Sequence, residues 1–106
     1  MKLTLLGTGC PAVSTRRYGP ANLVQHKDQS FLVDCGTGCS QRLLQANCSG
    51  AQLDALFITH MHSDHIIDLY QLIQSSWHQN RKSAPLIYGP KGLEAHVKGL
   101  MELWLE

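Results

Sequence analysis

Several things are scarce in this sequence of 106 residues, and each scarcity excludes a class of protein. Charged residues make up only 16%, below the roughly 25% typical of soluble domains, and the formal net charge is +1. The chain therefore lacks the broad basic surface of a general nucleic-acid binder. No apolar run approaches the roughly 20 residues of a membrane span. The apolar stretch at the start is too short for a secretory signal, so we expect a cytoplasmic protein without a membrane partner.

Cysteine is also sparse, with four residues in the chain. Without a secretory signal, an even number of cysteines does not indicate a disulfide framework. Cys35 and Cys39 are zinc ligands by type, but no second Cys/His pair follows at the spacing of a zinc finger. Small buried thiols are the favoured interpretation.

Apolar periodicity predicts an α/β protein with the order strand, hairpin, helix, strand, helix, strand, helix. We place the strands over residues 3–6, 22–25, 30–34, 53–59 and 85–88. Ser40 is a candidate N-cap for the first helix, and the second helix is expected from Ser63 or Asp64 through Trp77. The third helix is expected from Leu93 to the last residue.

Three histidines and one aspartate lie close together immediately after the predicted strand 53–59. In an extended segment, residues two apart point to the same side, so His60 and His62 can reach one ion. Asp64 and His65 lie at the turn into the next helix and can face a second position. Imidazole nitrogens and carboxylate oxygens suit zinc, with manganese or iron as alternatives. The motif predicts two adjacent metal positions, an arrangement with which hydrolases activate water.

With this motif and four further blocks, the sequence resembles the metallo-β-lactamase superfamily, whose His-x-His-x-Asp-His signature it matches at residues 60–65. Within the superfamily it is most similar to ribonuclease Z, the endonuclease family that trims tRNA 3′ ends. The blocks that carry the resemblance are residues 5–9, 31–36, 57–60 and 85–90. The resemblance extends over essentially the whole chain.

The resemblance implies a role for each residue of the motif. His60 and His62 would bind one zinc ion, and Asp64 and His65 the other, with Asp64 also the family's proposed proton acceptor. Asp34 matches the acidic residue that supports the metal ligands from behind, where a hydrogen bond to a histidine fixes its tautomer. An ordinary turn residue at the end of a strand is the alternative for Asp34.

Two arginines lie in the glycine-rich loop that the family places near its active site. Arg16 and Arg17 are therefore candidates for contact with a substrate phosphate, and two solvated loop arginines are the alternative. His26, His78 and His96 do not occupy positions where the resemblance places a metal ligand, so we expect them to be incidental.

The resemblance also implies an incomplete site. The family's remaining ligands are a histidine, a bridging aspartate and a final histidine from the second half of the domain, which residues 1–106 do not reach. We therefore expect a partial domain, the N-terminal half of the αββα sandwich, in which a mixed sheet carries helices on its outer face. The inner face would lack a partner, which predicts a homodimer or larger homo-oligomer.

The leading function is zinc-dependent hydrolysis of a phosphodiester by the complete fold, with a tRNA precursor as substrate. Another hydrolase of the superfamily is the enzymatic alternative: a cyclic-nucleotide phosphodiesterase, an arylsulfatase or a thioesterase. A third hypothesis is a truncated module that binds metal or associates with itself and is not an enzyme. Whether the 106-residue chain acts as an enzyme alone is therefore left open.

Overall fold

The computed structural model describes residues 1–103, so the expected end of the last helix, at 104–106, lies outside the described residues. The strands are β1 (Lys2–Gly7), β2 (Ala21–His26), β3 (Gln29–Val33), β4 (Ala55–Phe57) and β5 (Ile87–Tyr88). The helices are α1 (Cys39–Gln45), α2 (Leu69–His78) and α3 (Leu93–Leu103), with short 3₁₀ helices at Gly50–Gln52 and Ser63–His65. The element order agrees with the predicted α/β pattern, although β4 and β5 are shorter than predicted.

The five strands form one mixed sheet in the order β1-β2-β3-β4-β5. The pairs β1–β2 and β2–β3 are antiparallel, whereas β3–β4 and β4–β5 are parallel. The hairpin between β2 and β3 turns over Lys27 and Asp28 alone, with Lys27 at φ 56°, so its turn is shorter than the gap at 26–29 between the two strands predicted from the sequence. Parallel neighbours need long crossovers, which α1 and α2 supply.

The helices cover one face of the sheet and form the core with it. The largest fully buried side chains include Leu23 and Leu32 from the sheet and Leu43 and Leu69 from the helices. Three cysteines are buried in this core, while Cys10 is exposed, and all four are free thiols. A hydrogen bond with Cys39, together with burial, raises the pKa of the Cys35 thiol well above its usual value.

The opposite face of the sheet is apolar and exposed. Leu3 is 62% exposed, Leu5 59%, Phe57 40% and Tyr88 51%. The Phe31 and Phe57 rings lie 6.1 Å apart, and Phe57 stacks on Tyr88 at 5.4 Å. These five residues define what we call the open face. It corresponds to the unpartnered inner face that the sequence predicts.

Two helix starts differ from the prediction for the same reason, a hydrogen bond to a distant segment. The residue that caps α1 is Gly38, at φ 77°, and Ser40 lies inside the first turn, where its N–H and hydroxyl donate to the Asp68 carboxylate. The second helix begins at Leu69 because the carbonyl of His65 accepts the N–H of Cys35 (2.7 Å) instead of a helical donor. Within residues 1–103, no helix is long and apolar enough to cross a membrane.

Candidate metal centre

The candidate site lies at the edge of the sheet where the parallel strands β3 and β4 end. Asp34 follows β3, and Thr59 follows β4 by two residues. The parallel register pairs Val33 with Phe57, and the N–H of Asp34 donates to the carbonyl of Phe57 (2.8 Å). Asp34 adopts the left-handed conformation at φ 65°, which aspartate tolerates better than most residues. This backbone conformation turns the chain that follows β3 toward the histidine motif.

The Asp34 carboxylate is buried and accepts hydrogen bonds from two segments of the motif. Its Oδ1 accepts the backbone N–H of Thr59 at 2.8 Å. The Thr59 hydroxyl lies 3.0 Å from Oδ1 and 2.8 Å from Oδ2. Nδ1 of His65 lies 2.7 Å from Oδ2. Asp34 therefore contacts both Thr59 and His65, and its support of metal ligands stays a prediction.

His65 and Asp64 lie next to each other at the candidate site. Because a carboxylate only accepts, Nδ1 of His65 carries the proton of its hydrogen bond with Asp34, which leaves the Nε2 lone pair available. That Nε2 lies 3.6 Å from Oδ2 of Asp64. Two ligands of a tetrahedral zinc ion, each about 2.1 Å from the metal, are about 3.4 Å apart. The spacing of this pair therefore fits zinc.

His60 and His62 form the second pair of the motif. Their rings meet edge to face with centroids 4.6 Å apart, and the His60 ring lies 4.1 Å from that of His65. The structure thus brings all three imidazoles of the motif together. Among residues 1–103, no group of three or more His, Cys, Asp or Glu side chains has the geometry of a metal site by itself. The division of these donors between two metal positions stays a prediction.

The loop that carries Arg16 and Arg17 is fastened next to this site. Both arginines are exposed, and Arg17 Nη1 donates to Thr8 Oγ1 at 3.1 Å. The end of the loop is held where the N–H of Gly36 donates to the carbonyl of Pro20 (3.0 Å). Gly36 in turn lies directly against the backbone of Asp64. The loop is therefore near the motif, and a phosphate contact by its arginines stays a prediction.

Three residues that organise the site are not among the candidates from the sequence: Thr59, Asp68 and Gly36. Asp68 accepts both donors of Ser40, and its own N–H donates to the carbonyl of Cys35 at 3.1 Å, so it ties α1 to the chain that follows β3. The sequence predicts Thr59 as the last residue of a strand and assigns no role to Asp68. The one available signal was the position of Thr59, directly before the first histidine of the motif.

This sheet, its helices on one face and the motif at the end of β4 define a metallo-β-lactamase fold. The structure is similar to that of the short form of human tRNase Z, with a TM-score of 0.87 and 35% identity over 97% of this chain and 39% of that one. It is also similar to the metallo-β-lactamase fold protein YhfI from Bacillus subtilis, with a TM-score of 0.76 and 26% identity over 98% of this chain and 41% of that one. The chain belongs to the family described as Anti-Pycsar protein Apyc1, whose model matches residues 1–104.

Curated relatives carry the name ribonuclease Z. The protein of Mycolicibacterium gilvum (strain PYR-GCK) is 42% identical over 105 residues, which cover 96% of this chain and 37% of the relative. The protein of Brevibacillus brevis (strain 47 / JCM 6285 / NBRC 100599) is 41% identical over 105 residues, which cover 96% of this chain and 33% of the relative. The chain thus spans about a third of the length of these proteins. The predicted resemblance to ribonuclease Z is confirmed.

Proposed function

We propose that the chain contributes half of a dinuclear zinc site to a phosphodiester hydrolase of the ribonuclease Z type. The observation that carries the proposal is the hydrogen-bonded Asp34, which holds His65 with its Nε2 facing Asp64. His60 and His62 would hold one ion, and Asp64 and His65 the other. Bound zinc would supply a hydroxide nucleophile near neutral pH and neutralise charge on the phosphoryl oxygens. Residues 1–106 would then be a partial domain, and the rest of the site would come from outside them.

The residues of this chain have distinct tasks in that reaction. Asp34 orients His65 from behind, so the ligand is in place before the substrate arrives. Asp64 keeps 14% of its side chain exposed and would take up the proton that the reaction releases. Arg16 and Arg17 would contact the phosphates of a tRNA precursor in the cytoplasm. The name ribonuclease Z of the curated relatives supports this substrate.

We expect the isolated 106-residue chain to bind zinc weakly and to cleave a precursor tRNA without robust turnover, because two ligands for each ion are half of the expected set. Metal analysis and a cleavage assay on the purified chain measure both.

His62→Ala should weaken zinc binding in a chelator competition by at least about tenfold, since it removes half of one ligand pair. His78→Ala, at the exposed end of α2, should leave binding unchanged.

The outcomes of these zinc-binding and cleavage measurements distinguish between three possible functions. Robust turnover by the 106-residue chain would show that the site is complete and would contradict the proposal. Equal zinc affinity in the two histidine variants would refute the ligand assignment. If a protein with both halves of the fold binds zinc but does not act on any ester, the non-enzymatic module becomes the better description.

A second candidate is another hydrolase of the superfamily, because the family description names an anti-Pycsar protein and not a tRNA nuclease. The same half-site would serve a smaller phosphodiester such as a cyclic nucleotide, because two zinc ions act on the phosphoryl group and not on the rest of the substrate. A panel of precursor tRNA, cyclic nucleotide, aryl sulfate and thioester, measured on a protein with both halves of the fold, decides between these classes. Preference for precursor tRNA supports the leading proposal.

We further propose that a second copy of the chain covers the open face, which makes the chain a homodimer or larger homo-oligomer in isolation. Exposed apolar surface of this extent is unusual on a monomer. Light scattering at micromolar concentration should show more than one copy, and Leu5→Lys should shift the population toward monomer. Ile67→Lys is the matched control, because Ile67 is equally exposed, at 62%, but does not belong to the open face. A wild-type monomer would contradict the proposal.

A further inference from the structure

The hydroxyl of Thr59 lies between the Asp34 carboxylate and the ring of His60. Its oxygen is 2.8 Å from Oδ2 of Asp34 and 2.8 Å from Nδ1 of His60. Asp34 is buried, and its Oδ1 also accepts the backbone N–H of Thr59. Thr59 therefore contacts the same carboxylate through both its backbone N–H and its hydroxyl. These two contacts hold the hydroxyl in position beside His60.

A count of protons determines the direction of these hydrogen bonds. A hydroxyl has one proton to donate and two lone pairs that accept, whereas a carboxylate has no proton to donate. If the Thr59 hydroxyl donated to His60, its oxygen would face both oxygens of the buried Asp34 carboxylate with no proton between them, which is repulsive. The hydroxyl therefore donates to Asp34 and accepts from His60. His60 must then carry its proton on Nδ1, with the lone pair on Nε2.

We infer that Thr59 is a positioning residue that extends the action of Asp34 from one predicted metal position to the other. Asp34 sets the tautomer of His65 directly and that of His60 through the Thr59 hydroxyl. Both histidines then present Nε2, the nitrogen available for a metal. One buried carboxylate thus prepares a ligand for each ion. The inference deepens the proposed function, because it concerns the ligands of the same site.

The test uses the metal-free 106-residue chain and nitrogen-15 NMR of the histidine side chains, which reports the protonated ring nitrogen. We expect the neutral His60 ring to be protonated on Nδ1 in the wild type and in Thr59→Ser, which keeps the hydroxyl. Thr59→Val keeps the shape and the backbone donor but removes the hydroxyl, so its His60 ring should lose this preference. Thr37→Val, at an exposed threonine, should leave the His60 signals unchanged.

Zinc affinity provides the second readout. Loss of a residue that orients a ligand typically costs about 10–100-fold in metal affinity, and we expect Thr59→Val to fall in this range while Thr59→Ser stays at the wild-type value. A neutral His60 protonated on Nε2 in the wild type would overturn the inference, and so would an unchanged tautomer in Thr59→Val. The wild-type spectrum decides the question even if Thr59→Val fails to fold. Because that spectrum needs no zinc, it also separates failure of the relay from failure of the proposed metal site.

Discussion

Replacing Gly36 with alanine is expected to destabilise the chain by about 3 kcal/mol or more, since extra volume in a tightly packed site usually costs about 1–3 kcal/mol even where neighbours can move. A Cβ at this position would lie 2.6 Å from the carbonyl oxygen of Asp64, from Gly19 and from Pro20. All three contacts are with backbone atoms, so no side-chain rotation relieves them. Thermal unfolding should show the midpoint lowered by about 15 °C or more.

Gly99→Ala is the matched control for this substitution. Gly99 lies inside α3, and a Cβ there meets nothing within 4 Å. Alanine is favoured over glycine in a helix by about 0.5–1 kcal/mol, so this variant should unfold at a slightly higher temperature than the wild type. A Gly36→Ala protein as stable as the wild type would show that the loop ending at Pro20 is not held against the motif.

Asp34→Asn is expected to lower the free energy of unfolding by about 2–4 kcal/mol and zinc affinity by about 10–100-fold. Asparagine tolerates the left-handed backbone at φ 65°, so the effect does not come from backbone strain. The carboxylate accepts from the Thr59 N–H, the Thr59 hydroxyl and His65 Nδ1. An amide has one accepting oxygen, and its NH₂ group would face one of these donors inside a buried site. Chemical denaturation and chelator competition measure the two effects.

Asp28→Asn makes the same chemical change in the exposed turn between β2 and β3. Surface substitutions of this kind usually change stability by less than about 0.5 kcal/mol, so this variant should match the wild type in both measurements. If Asp34→Asn retained full zinc affinity, the carboxylate would have no part in orienting the ligands. Stability and affinity can change independently, so the two measurements distinguish a structural role from a supporting role toward the metal.

Much of the architecture was predictable from the sequence because it depends on local patterns. Apolar runs and the breaks between them predict the order of the elements, and the motif at residues 60–65 predicts where the candidate site lies. Asp34 does hydrogen-bond to His65, and its support of a metal ligand stays a prediction. The resemblance to a known superfamily supplied what local patterns lack, namely that the ends of β3 and β4 meet.

What the sequence did not predict depends on hydrogen bonds between distant residues. Serine is a residue type that favours helix N-caps, yet the N–H and hydroxyl of Ser40 donate to Asp68, 28 residues away. Gly38 caps the helix instead. The second helix starts later than predicted because the backbone of Cys35 forms hydrogen bonds with the backbones of His65 and Asp68. The role of Thr59 depends on a contact with Asp34 across 25 residues. Propensity within a short window contains no information about such partners.

The junction of antiparallel and parallel strands in the sheet has a consequence for folding. The β2–β3 hairpin closes over two residues, so its ends meet at little cost in chain entropy. Pairing of β3 with β4 must instead close the long segment that contains α1, and contacts between distant residues form more slowly than local ones. Asp34 and Thr59 meet only after this second closure. The hairpin can therefore form without the site, but the site cannot form before the parallel half of the sheet.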